Sequence, residues 1–127
     1  MTPNLVRAGR ARRTQTPNAQ MTTLASPSQG PTAGLSIWLV EMRAGQQGPL
    51  HVFDTEQIWH LLAGEAEVTV GAERLALGPG DTVVLSAGAE RQVSARTDAR
   101  LVVCGRGDAV VHVPGEAAPR GTPPWIA

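Results

Sequence analysis

Three histidines, His51, His60 and His112, are of the side-chain type that can take up and return a proton in a reaction. Glu41 is a second acid-base candidate. It shares an alternation with Ile37 and Leu39, so it lies near His51 if that face is interior, and is a strand-end charge in water if it is not. Asp54 and Glu56 sit in the turn that follows His51 and read as solvated. Cys104 is the lone cysteine, which excludes an intramolecular disulfide and a cysteine zinc cluster; it and His112 read as structural or surface residues. Neither a phosphate loop nor a serine-nucleophile elbow is present, because Gly78 and Gly80 belong to a strand-to-strand turn with no helix after it.

These residues must be positioned by a small body. The 127 residues suit one domain, and 42% apolar against 17% charged residues describes a soluble globular chain. No apolar run reaches the roughly 20 residues of a membrane span, nor is there an apolar block of signal-peptide type, so a cytoplasmic protein is expected. Eleven arginines, without a lysine, balance eleven acids, which argues against global attraction to nucleic acid or a membrane surface. A small molecule or a second copy is the expected partner.

Residues 1–34 carry four arginines and no acid, an arm whose composition resembles a transit peptide and equally suits a flexible extension. Within it, Ala19 to Leu24 reads as one extended stretch, an edge or exchanged strand. From Leu35 onward, short apolar alternations are separated by Gly, Pro and Asp every 8 to 12 residues, which is an all-β pattern. Strands are expected at Leu35 to Arg43, Gln57 to Ala63, Glu65 to Val70, Glu73 to Leu77, Thr82 to Leu85, Arg91 to Ala95, Ala99 to Cys104 and Ala109 to Val113. That makes residues 35–113 a sandwich or small barrel without crossover helices. Residues 114–127 form a Pro- and Gly-rich tail, with Trp125 expected to be buried, across a dimer interface if one exists.

Two spacings resemble the motifs of the cupin family. Gly45, His51, Phe53, Gln57 and Gly64 follow the first motif, and Gly80, Ser86, Gly88 and Arg91 follow the second, with Leu-Gly-Pro-Gly-Asp-Thr-Val-Val as the most typical stretch. The resemblance covers residues 35–113 and implies a double-stranded β-helix, the jelly-roll or cupin barrel. It also implies a place where cupins usually hold a divalent metal through two His and a Glu of the first motif and a His of the second. Of those positions only His51 is unchanged: Phe53 cannot ligate, Gln57 offers a weak neutral oxygen, and Arg91 brings a permanent positive charge. No cofactor is expected, and any divalent metal would have only His51 and Gln57. His60 points away from the interior if Gln57, Trp59 and Leu61 face it.

The resemblance therefore implies a pocket with His51, Phe53, Gln57, Trp59 and Arg91 as ligand-binding candidates, suited to a flat, partly anionic organic molecule. Arg91 would grip a carboxylate or enolate, the aromatic rings would stack, and His51, with Glu41 if interior, would do catalysis as a neutral base. The competing readings leave Arg91 at the surface beside Glu90 or Asp98 and His51 as a hydrogen-bonded lining residue. Three functions remain open: a metal-independent isomerase, cyclase or lyase, a non-catalytic ligand-binding or sensing module, and a metal-dependent dioxygenase or isomerase with an atypical site. Cupin barrels often pair by exchanging an N-terminal strand, so a homodimer through Ala19 to Leu24 is expected.

Overall fold

The computed structural model describes residues 3–127. Eleven strands follow a short 3-10 turn at Ala8–Arg10: β1 (Arg12–Gln15), β2 (Gln20–Ala25), β3 (Leu35–Met42), β4 (Val52–Phe53), β5 (Gln57–Ala63) and β6 (Ala66–Val70). After them come β7 (Glu73–Leu77), β8 (Thr82–Leu85), β9 (Arg91–Ala95), β10 (Ala99–Arg106) and β11 (Val111–His112). One layer is a six-stranded sheet in the order β1-β2-β3-β10-β5-β8. The other combines β7-β6-β9 with the pair β11-β4, the segment before β4 bridging them through Gln47 to Ser94 and His51 to Arg91. Every strand pair is antiparallel, as an all-β jelly roll requires. No α-helix occurs among the described residues, and none of their helices is long and apolar enough to cross a membrane.

The two-residue period of each strand decides what lies between the layers. Along β5, Gln57, Trp59 and Leu61 are buried while Ile58 and Leu62 are exposed; along β10, Ala99, Leu101 and Val103 are buried while Arg100 is exposed. With Ala66 and Val68 of β6 and Phe53 of β4, these residues make one core. Gly64, at φ +84°, turns the chain from β5 into β6, and a Cβ there would strike the backbone of Asp98, so only glycine fits this corner.

Four strands, β5, β7, β8 and β9, have the bounds the alternation implies, whereas β10 extends to Arg106 and β11 is shorter than expected. β1 carries no apolar alternation to announce it. It forms because Thr16 closes a turn onto Ala19, through Thr16 N to Ala19 O at 2.9 Å and Ala19 N to Thr16 Oγ1 at 3.0 Å, folding polar residues back along β2. β2 is therefore an inner strand, paired with β1 on one side and with β3 of its own chain on the other. The tail lies against this arm. Thr23 Oγ1 donates to Trp125 O at 2.7 Å, Ser26 Oγ to Ala127 O at 2.8 Å, and Arg12 Nη2 to Pro124 O at 2.8 Å. Ile126, not Trp125, is the fully buried residue of the tail.

Candidate functional site

Between the layers lies a cavity of about 420 Å³, within the usual range for small-molecule sites. Its walls are mainly apolar, including Trp38, Trp59, Leu101 and Val103 from the large sheet. Pro124 and Trp125 of the tail add a further wall, which the strand pattern could not disclose because it depends on the tail folding back. His51 and Gln57 are the two candidate polar residues that line it.

His51 and Arg91 face each other as a hydrogen-bonded antiparallel pair. His51 N donates to Arg91 O at 3.1 Å and Arg91 N donates to His51 O at 3.0 Å. Opposed residues of such a pair project from the same side of the ladder, and here that side is the interior. Arg91 is 0% exposed. The surface reading of Arg91 is thereby corrected: neither Glu90 nor Asp98 pairs with it, and no carboxylate among the described residues lies within ion-pair distance. Its charge is instead spread over oxygen acceptors and a ring. Nε donates to Ala89 O at 2.9 Å, Nη2 to Ser86 O at 3.1 Å and Nη1 to Gln57 Oε1 at 3.2 Å, while Cζ stands 5.3 Å from the Phe53 ring centroid. Burial pulls its pKa down to about 10, so the guanidinium stays charged at neutral pH.

His51 is half-buried, edge-on to Phe53 with ring centroids 5.1 Å apart. Nδ1 lies 2.7 Å from Pro49 O. A carbonyl only accepts, so Nδ1 carries the hydrogen and the neutral ring keeps its lone pair on Nε2. Burial lowers the pKa of His51 below its ordinary 6.5 and the Arg91 charge lowers it further, against the opposing pull of the Pro49 carbonyl. The ring is neutral at pH 7. Pro49 was not legible as a site residue because it acts through its backbone.

Gln57, 1% exposed, has a fixed amide orientation. Both groups against Oε1, Trp59 Nε1 at 3.1 Å and Arg91 Nη1 at 3.2 Å, are donors, so the oxygen must stand there and the nitrogen on the other side. That nitrogen, Nε2, has no hydrogen-bond partner. Glu41, in contrast, is outside. The inward face of β3 is Ser36, Trp38 and Met42, so the Ile37 face looks to solvent, and the Glu41 carboxylate stands 3.9 Å from Arg100 on the outer surface. The expectation of a second acid-base group beside His51 is corrected, because the larger side chains of β3, Trp38 and Met42, claimed the core. His60 also lies outside, with Nδ1 2.7 Å from Thr82 Oγ1.

The sequence model described as Cupin domain matches residues 38–105, more than half of the chain. The chain belongs to the cupin family. A sequence comparison with curated proteins gives no match. Among solved structures, this cupin is similar to an RmlC-like cupin from Shewanella frigidimarina, with TM-score 0.71 and 15% identity over 83% of this chain and 91% of that one. It is similar to a cupin superfamily protein from Desulfitobacterium hafniense, with TM-score 0.63 and 15% identity over 73% of this chain and 81% of that one. Salicylate 1,2-dioxygenase from Pseudoaminobacter salicylatoxidans, as an adduct with gentisate, gives TM-score 0.71 and 16% identity. That likeness covers 83% of this cupin but only 31% of the dioxygenase chain. At these identities the likenesses show the fold.

The residues present do not fit the metal that cupins usually hold. A cation needs several lone pairs converging on it. Here the positions offer one imidazole nitrogen, a Phe53 ring, an amide oxygen already occupied by two donors, and the guanidinium of Arg91. Among the described residues no three His, Cys, Asp or Glu side chains come together.

Proposed function

We propose that this cupin binds a small organic molecule in the barrel cavity and moves a proton on it without a metal, as an isomerase, cyclase or lyase, with His51 as the base. The observation that carries the reading is the His51 ring itself. It is held neutral by burial and Arg91, fixed through Nδ1 on Pro49, and lines an apolar cavity with its Nε2 lone pair free. A base of this kind works at neutral pH, where an imidazolium would not. Phe53 and Trp59 supply flat walls for a ring.

The test is incorporation of solvent deuterium. The protein is incubated in D2O with a library of cyclic carbon acids and the products are read by mass spectrometry. Exchange lost in His51→Gln and unchanged by chelator is expected; exchange that persists in His51→Gln, or that chelator abolishes, overturns the assignment. The exterior position of Glu41 supports a second reading, a ligand-binding module without turnover, since it leaves His51 without a partner acid. In that case ligands stabilise the protein and no deuterium enters them.

A further inference from the structure

Gln57 Nε2 is a donor without an acceptor, in a side chain almost wholly withdrawn from solvent, at the wall of a cavity whose other surfaces are chiefly apolar. Buried polar groups are nearly always paired, so an orphan of this kind marks the place of an absent acceptor. The amide cannot turn to relieve itself. A flip would bring NH2 against Trp59 Nε1 and Arg91 Nη1, both donors.

Arg91 is a poor candidate for direct contact with a ligand. Each of its three nitrogens already has a protein acceptor, and the guanidinium is not part of the cavity lining. Its charge reaches the cavity through Gln57: the Nη1 donation to Oε1 polarises the amide and strengthens Nε2–H as a donor. On the reading of the cavity given under the proposed function, we infer that the ligand is a neutral, largely apolar carbonyl compound of one or two rings, its carbonyl oxygen accepting from Gln57 Nε2, with Arg91 as the positioning residue behind that amide. Arg120, a cation in the cavity lining, is already paired with Glu116 at 2.6 Å, so a carboxylate finds no unpaired cation there, in contrast to the partly anionic ligand that the sequence suggests.

The chemistry follows from the two groups. His51 Nε2 takes a proton from the carbon beside the carbonyl: the C–H bond breaks, Nε2–H forms, and the electron pair moves onto the carbonyl oxygen as an enolate held by Gln57 Nε2–H. Where a C=C bond lies one carbon beyond, the enolate is a dienolate, and return of the proton from His51 Nε2 to its γ carbon moves the double bond into conjugation. Without that bond the proton returns to the same carbon and only exchange or epimerisation results, with no electrons gained or lost in either case.

The test uses matched carbon skeletons: 1-tetralone, tetralin and tetralin-1-carboxylate, and the corresponding set on indane. Their affinities for the wild-type protein and for Gln57→Glu are measured by calorimetry, with isotope-edited infrared spectra of the bound ketones. Gln57→Glu keeps an oxygen for Trp59 and Arg91 but replaces the donor with an acceptor. The ketone is expected to lose about tenfold or more in affinity while the hydrocarbon stays within about twofold, and the carbonyl band, shifted to lower wavenumber in the wild type, returns upward. In Arg91→Met the band returns part of the way with Gln57 still present, a signature that loss of packing does not produce. Equal losses for ketone and hydrocarbon, or tightest wild-type binding of the carboxylate, overturn the inference while leaving a ligand-binding cavity. Absence of binding by every probe to folded protein overturns the cavity reading as well.

Discussion

Arg91 Nη1 donates to Gln57 Oε1 at 3.2 Å, and Gln57 is the one polar side chain that takes up the charge of a fully buried guanidinium. An uncompensated buried charge destabilises a fold, and neither neighbour relieves it with a carboxylate. The arrangement resembles a metal site turned inside out. A cation is built in on a side chain, and at the family's ligand positions the polar residues that line the cavity are Gln57 and the neutral imidazole of His51.

Gln57→Glu should therefore raise stability as it weakens ligand binding. The carboxylate would complete an ion pair whose cationic half is already buried, a gain on the order of 2 kcal/mol. A urea midpoint that shifts upward with unchanged slope is the expected result. A lowered midpoint would mean that the charge of Arg91 is already satisfied.

The pKa of His51 should rise in Arg91→Met, because the positive charge that disfavours the imidazolium is gone. Burial remains and is the larger cause, so the value stays below 6.5. An NMR titration of the His51 ring measures it directly.

Stability should fall as pH drops below 6.5. His51 has a lower pKa folded than unfolded, so the unfolded chain binds more protons in the window between the two values. The contribution is fully present above 6.5 and lost as pH falls through the folded pKa. Thermal melts from pH 7.5 to 5 should show the decline in the wild type and a shallower one in His51→Gln. The same protonation removes the base, so turnover has an acid limb below 6.5.

Glu41→Gln should change neither stability, beyond about 0.5 kcal/mol, nor ligand affinity. Its carboxylate is solvent-exposed and 3.9 Å from Arg100, outside the barrel. A large loss of ligand affinity in this variant would place the working cavity elsewhere.

Much of the barrel was legible in the sequence because alternation and turn residues encode it locally, as in β5, where Gln57, Trp59 and Leu61 point inward and His60 does not. The inward orientation of Arg91 was legible only through family spacing, since an arginine by itself favours the surface; its bridge to His51 is what decides it. Glu41 was ambiguous because both faces of β3 carry apolar residues, and packing of Trp38 and Met42 settles which is core. β1 and the Pro49 carbonyl had no signal in residue type, and Trp125, whose type suggested burial, had none that placed it on the cavity wall of its own chain. Each depends on where distant backbone comes to rest.

The most direct test of the central claim, that a guanidinium and an amide stand where cupins usually hold metal, is plasma mass spectrometry of untagged protein purified from cells supplemented with Mn, Fe, Co, Ni, Cu and Zn. Far less than one metal per chain is expected, with the same value in His51→Ala. Near-stoichiometric metal in the wild type, lost on replacing His51, would contradict it.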